Sequence, residues 1–153
     1  AAESIWVVET NLDQVPPDVV GYTLERLFAA GAVDAFTQGI GMKKQRPGIL
    51  LTALAPAAAL AAVEEVIFSE TGTLGIRRGL ALRTTLERHQ ATVTTPWGPI
   101  RCKVGVRMKL GGQGDVVAPE YEDCAGVARA HGIPLHVVYN VVRTAYQRTK
   151  SSE

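Results

Sequence analysis

Over its first 88 residues the chain switches between strand-like and helix-like apolar patterns in the order β-α-β-β-α-β, an order that few folds accept. "SIWVVET" (residues 4–10) is a β-branched, apolar run that predicts a strand. "NLDQVPPD" reads as a loop, and Pro16 and Pro17 suit the first turn of a helix. Val20, Leu24, Leu27 and Phe28 then recur at helical spacing as far as Gly31, a good stop. "AVDAFTQGIGM" (32–42) and "ILLTALA" (49–55) read as the second and third strands. Pro56 opens a second helix through Leu60, Val63, Ile67 and Phe68, closed by Gly72. "LGIRRGLALRTTLER" (74–88) reads as the fourth strand. Two βαβ units with both helices on one face give an α+β, ferredoxin-like core.

The remainder reads differently. "ATVTTPWGPIRCKVGV" predicts an added β-hairpin turning near Pro96-Trp97-Gly98-Pro99. "LGGQGDVV" (110–117) is glycine-rich and is expected to be a mobile loop. "PEYEDCAGVARAHG" begins with proline and acids and ends on glycine, as a capped helix does. "PLHVVYNVVRTAYQR" predicts a last helix with Leu135, Val138, Val142 and Tyr146 on one stripe, and the tail from Thr149 is expected to fray. The expected division is a ferredoxin-like core at 4–88 and a hairpin plus C-terminal helical subdomain at 89–148.

A formal net charge of +1 gives bulk charge no role in binding nucleic acid or membrane, so a function that needs cations must use a local cluster. RNA binding on the sheet is disfavoured as well, because "ILLTALA" has no aromatic residue on which a base could stack. Cys102 and Cys124 are too far apart for a C-x-x-C site or a disulfide framework and read as reduced thiols of a cytoplasmic protein. No apolar run reaches the roughly 18 residues of a membrane span, and none reads as a signal peptide. The chain begins Ala-Ala-Glu without methionine, as expected of a piece of a longer protein. Helices for only one face of an apolar sheet imply a homo-oligomer built through the sheet or the hairpin.

Three stretches could carry chemistry. "GMKKQRPGILL" (41–51) puts Lys43, Lys44 and Arg46 between two strands, with Gly39, Gly41 and Gly48 around them. Such a loop either guards a sheet edge or receives phosphates, with Arg as a fork and Lys as a point charge. "SETGTLGIRR" (69–78) brackets a helix-to-strand passage with Gly72 and Gly75, and Arg77 and Arg78 must point to opposite faces of a strand. "ETNLD" (9–13) places Glu9 and Asp13 where the first strand ends, suiting Mg²⁺ or Mn²⁺ with phosphate oxygens and water, with Asp13 on the loop. Glu9 could instead pair with Arg77 or Arg78. In "PEYED", Glu120, Glu122 and Asp123 are alternate metal ligands or simply compensate a helix dipole. His89, His131 and His136 share no motif, and no serine or cysteine sits beside a base.

Taken together, "ETNLD", "MKKQRPG", "SETGTLGIRR", "TPWGPIRCKV" and "PEYEDC" resemble, in order and spacing, the carboxy-terminal part of the LarC family. These are nickel-insertion proteins of nickel-pincer nucleotide biosynthesis, also described as pyridinium-3,5-bisthiocarboxylic acid mononucleotide nickel chelatases. The resemblance runs from Val7 to about Tyr146. It implies a CTP-dependent cyclometallase of the lyase class that uses CTP with Mg²⁺ or Mn²⁺ while inserting nickel, its substrate ion, into a pyridinium mononucleotide. It also implies that this region is the CTP-binding part and that the family protein carries a further amino-terminal domain, on which activity could depend. Lys43, Lys44, Arg46 and Arg77 are then expected to meet phosphates, and Glu9 and Asp13 the metal. Gln14 stands where the family has a second acid, which favours Asp13. No residue is assigned as catalytic. The alternative function is a non-catalytic, ferredoxin-like module that binds a nucleotide for regulation.

Overall fold

The computed structural model describes residues 2–107 and 114–150. The chain divides into two compact units, Ala2–Thr84 and the part from Thr85 onward.

The first unit contains β1 (Ala2–Asp13), α1 (Pro17–Ala29), β2 (Asp34–Gly41), β3 (Pro47–Ala55), α2 (Leu60–Thr71) and β4 (Arg77–Thr84). The strands form one sheet in the order β2-β3-β1-β4, antiparallel at every step. This is the ferredoxin-like arrangement. Alternation along β1 decides the layering: Val8, Thr10 and Leu12 point to the buried face with Leu51, Ala53 and Ala55 of β3, and α1 and α2 add Leu27, Val63 and Ile67. Leu27, Leu51 and Ile67 are wholly buried, and each contributes about 1.5–3 kcal/mol by leaving water. Helix α1 starts at a proline with Asp18 in its first turn, and Gly31, at φ +97°, turns the chain away after it. Gly72 closes α2 in the left-handed conformation.

Three boundaries differ from the pattern in the sequence. Strand β1 continues through Asn11, Leu12 and Asp13, read above as loop, because Leu50, Ile49 and Gly48 of β3 pair with them. Strand β4 stops at Thr84 rather than running to residue 88, because Thr84 pairs with Ala2, where β1 begins. Pro56 leads first into a short 3-10 turn, Ala57–Ala59, before α2.

The second unit contains β5 (Glu87–Thr95), β6 (Gly98–Val106), β7 (Val116–Pro119), α3 (Tyr121–His131) and α4 (Leu135–Lys150). β5 and β6 are the expected hairpin, closed by Pro96 and Trp97 with Gly98 at φ +103°. The sequence pattern places β7 in a glycine-rich loop. Four residues are too few to show a period, and the strand exists because Val117 and Ala118 pair with Val104 and Lys103. Residues 110–113 of that expected loop lie outside the described residues. Helix α4 continues to Lys150, past the expected fraying point. Its stripe of Val138, Val142 and Tyr146 packs with Val93, Ile100, Cys102, Val104 and Cys124. Both cysteines are free and buried, and burial pushes the Cys102 thiol up to about 11, so it is protonated and unreactive at neutral pH. Among the described residues, no helix is long and apolar enough to cross a membrane.

Helix α3 is clamped to β6 by Asp123. Its Oδ1 accepts from Arg101 Nη2 at 2.6 Å, and its Oδ2 accepts from Arg101 Nε at 2.9 Å and the Arg101 backbone N–H at 3.0 Å. These bonds hold the Asp123 carboxyl down at about 2. A depressed carboxylate stabilises the folded state above its unfolded pKa of about 3.9 and loses that contribution as pH falls through the folded value. Asp123→Asn is therefore expected to melt below the parent at pH 6, with the gap in Tm closing between about pH 4 and pH 2. Thermal melts across that range check this; a constant gap would remove the clamp's charge from the account.

Candidate functional site

Pairing register brings three distant segments to one end of the four-stranded sheet. Asp13, the last residue of β1, lies opposite Gly48 of β3. Gly41, the last residue of β2, lies opposite Pro47. Arg77, the first residue of β4, lies opposite Glu9. "ETNLD", "MKKQRPG" and "TGTLGIRR" therefore meet, although more than 60 residues separate the first from the last.

The β2–β3 connection is tight. Lys43–Gln45 forms one 3-10 turn, and the Met42 backbone N–H donates to Arg46 O at 2.7 Å. Lys44 (φ +59°) and Gln45 (φ +62°) are left-handed, and so is Gln14 (φ +58°), next to Asp13 in sequence. Among the described residues these are the non-glycine positions with positive φ. Such conformations cost on the order of 1–3 kcal/mol each and gather where function requires a fixed geometry. The turn leaves Lys43 and Lys44 exposed. Gly48 serves this turn by close packing: a Cβ there would overlap Met42 Sδ and come within 3.0 Å of Leu12 O. Gly39 and Gly41 show no such approach.

Arg46 turns back to β1. Its Nη2 donates to Asp13 Oδ2 at 2.5 Å. The pair is incomplete, because Asp13 Oδ1 and Arg46 Nε are both buried without a hydrogen-bond partner. A buried polar atom left unpaired costs about 1–3 kcal/mol. Thr52 Oγ1 is also buried and unpaired, in β3 opposite Glu9. Asp13 is thus a strand residue held in an ion pair, not a freely turning loop residue.

Arg77 and Arg78 do take opposite faces. Arg77 Nη2 donates to Asn11 Oδ1 at 2.8 Å and lies 3.7 Å from Glu9 Oε2. Arg78 Nη1 donates to Glu64 of α2 at 3.0 and 3.2 Å, and its guanidinium lies over the Trp6 ring. Glu9 and Asp13 are four residues apart in an extended strand, about 13 Å along its axis. A different arginine engages each of them, Arg46 at Asp13 and Arg77 at Glu9. The backbone of 72–76 is tied to β1 by Thr10, whose hydroxyl donates to Gly75 O at 2.9 Å and bonds the Thr73 hydroxyl at 2.7 Å.

The acidic alternates lie in the second unit. Lys103 Nζ is 3.0 Å from Glu120 Oε1, Asp123 is taken by Arg101, and Glu122 is exposed in the first turn of α3. His131 packs near the Trp97 ring at 6.2 Å. Among the described residues, no three His, Cys, Asp or Glu side chains come together as a metal cluster. Thr10, Asn11 and Met42 are not singled out from the sequence, and Gln14 is noted there only as the replacement of an acid. Thr10, Asn11 and Met42 stand inside the motifs, which was the available signal; the left-handed backbone of Gln14 is geometry that no motif shows.

A ferredoxin-like unit with a strained cationic turn latched to its central strand, joined to a hairpin-and-helix unit, defines the class. The family model described as "Nickel insertion protein" matches residues 1–139. Similar curated proteins include two named "Putative nickel insertion protein". One, from Cyanothece sp. (strain PCC 7425 / ATCC 29141), is 45% identical over 152 residues, covering 97% of this chain and 36% of its own length. The other, from Myxococcus xanthus (strain DK1622), is 46% identical over 138 residues, covering 89% and 34%. The chain spans about a third of the length of these relatives. Among solved structures it is similar to "LarC2, the C-terminal domain of a cyclometallase involved in the synthesis of the NPN cofactor of lactate racemase, apo form". The TM-score is 0.87 at 35% identity, covering 96% of this chain and 99% of that one. Protein MK0293 from Methanopyrus kandleri AV19 shares the fold, with a TM-score of 0.61 at 20% identity. The chain belongs to the nickel insertion protein family and corresponds to the carboxy-terminal domain of its LarC members.

Gly48→Ala tests the packing of the turn. Adding a methyl to a filled site costs about 1–3 kcal/mol, here by displacing Met42. Urea unfolding is expected to show that loss, with faster amide exchange at Met42. Unchanged stability and exchange would show that the turn has slack.

Proposed function

We propose that this chain is the nucleotide-binding domain of a nickel-inserting cyclometallase, which holds CTP with Mg²⁺ or Mn²⁺ at the Asp13–Arg46 end of the sheet. Nickel is the substrate ion and the pyridinium bisthiocarboxylic acid mononucleotide its acceptor. The observation that carries this reading is the convergence of Lys43, Lys44, Arg46 and Asp13 on one turn, where left-handed residues and two unsatisfied buried polar atoms also collect. The likeness to LarC2 supports the cofactor pathway.

Each part has a chemical role. Lys43 and Lys44 are exposed and supply positive charge for a triphosphate. Arg46 supplies a planar fork that matches two phosphate oxygens. Arg77, on the same face as Asp13 but further along β1, is assigned to the distal part of the ligand. Asp13 Oδ1, a buried carboxylate oxygen without a donor, fits a hard cation that takes its other ligands from phosphate oxygens and water. Glu9, beside Arg77, steadies that arginine. A bound divalent ion would neutralise charge on the triphosphate. The reading also includes a cytoplasmic homo-oligomer, because α1 and α2 cover one face of the first unit's sheet, whereas Phe36 of β2, on the other, is 41% exposed.

Calorimetric titration with CTP, ATP, GTP and UTP, with and without Mn²⁺, tests the reading directly. CTP with Mn²⁺ is expected to bind tightest; equal affinities would reduce the site to a general phosphate patch. CTP turnover, measured in the same samples, separates the cyclometallase reading from a regulatory module. Lys44→Ala should weaken Mn²⁺–CTP on the order of ten- to a hundredfold, the worth of one charge-assisted bond, with the melt unchanged. Normal binding by Lys44→Ala would leave the turn as a guarded edge. Light scattering at micromolar concentration is expected to give an oligomeric mass, and a monomer would remove the assembly from the reading.

A further inference from the structure

Outside the nucleotide reading, the charged groups that form ion pairs are satisfied by them. In the second unit Asp115, Glu120 and Asp123 are paired, and burial raises the pKa of both thiols. The half-made pair at the end of β1 is different. Asp13 and Arg46 touch through one oxygen and one nitrogen, Oδ2 and Nη2, and each keeps a second atom, Oδ1 and Nε, buried and unused. A side-on pair would have used both. The side chains as wholes are not sealed in: Arg46 is 43% and Asp13 32% exposed. Opening the pair therefore moves both unused atoms towards solvent without disturbing the core beneath, formed by Leu12, Ile49 and Leu51.

We infer that the Asp13–Arg46 pair is a self-closing latch, which opens only for a ligand that presents a cation and a phosphate oxygen together. The claim rests on the nucleotide reading above and deepens it. A metal ion alone must take Asp13 from Arg46 and leave a guanidinium unpaired. A phosphate alone must take Arg46 and approach a free carboxylate. A metal–phosphate ion pair replaces each partner with one of the same sign in a single exchange: the cation goes to Asp13, the phosphate oxygen to Arg46. The strain at Gln14, Lys44 and Gln45 flanks both partners, so the backbone on either side of the pair is held and the exchange is confined to side chains. The latch leaves either half-ligand little to gain by itself, so selectivity lies in the combination.

This reading makes an unusual prediction for the two single variants: each should gain affinity for one half-ligand while losing the whole. Asp13→Asn removes the acid that occupies Arg46, so CTP in EDTA should bind at least about tenfold tighter than to the parent. In the same variant Mn²⁺ should no longer strengthen CTP binding, and the ligand-free melt should change little. Arg46→Ala frees Asp13, so Mn²⁺ alone, read by electron paramagnetic resonance, should bind about tenfold tighter than to the parent. Mn²⁺–CTP should bind Arg46→Ala at least about tenfold more weakly. Arg46→Gln reads the same outcome if the alanine variant does not fold. If both variants bind Mn²⁺ alone and CTP in EDTA no better than the parent, while Mn²⁺–CTP weakens, the latch is overturned and the nucleotide reading stands. If the parent itself binds no Mn²⁺–CTP, the nucleotide reading falls and the latch with it.

Discussion

β1 is paired on both edges, by β3 from Trp6 to Asp13 and by β4 from Ala2 to Glu9. The two pairings are offset by four residues, and that offset shapes the candidate site. At the end of β1 the β3 side is still closed by a ladder while the β4 side is not. The backbone of 72–76 comes alongside there, held by the Thr10 hydroxyl rather than by a strand. Asn11 and Asp13 are consequently fixed in direction by one neighbour and accessible from the other. A carboxylate in that position is aimed without being buried outright. The same offset puts Arg77 at the first rung of β4, where its side chain can reach along β1 to Asn11.

How much of this was legible follows from range. The helices α1 and α2 and the strands β2 and β3 are local patterns, and their periods and glycine or proline boundaries were readable. The ferredoxin-like core followed from the β-α-β-β-α-β succession of elements. What was not legible depended on partners distant in sequence. Asn11 to Asp13 look like loop residues until Gly48 to Leu50 are seen beside them. The four residues of β7 carry no period and become a strand by pairing with β6. The candidate cations were visible because charge clusters are visible, and the motifs placed them in a family. That Arg46 is held by Asp13, and that Glu9 has Arg77 beside it, required the register of β1 against β3 and β4 and the extension of β1 to residue 13.

Three aspartates differ in how their oxygens are engaged, and the contrast separates structure from candidate function. Asp123 receives three donors across both oxygens, from one arginine and its backbone. Asp115 receives Lys150 and the Tyr146 hydroxyl, which hold its carboxyl below the usual range. Asp123 is bonded on both oxygens and Asp115 takes two donors on Oδ2, and a metal ion would have to displace those donors to reach them. Asp13 receives one donor and keeps a buried oxygen idle. An unpaired buried oxygen costs about 1–3 kcal/mol, which a neighbouring donor or a side-on fork would remove. The deficit persists beside strained residues at the point where three motifs meet. That combination is expected where a group is held ready for a partner that arrives with the ligand.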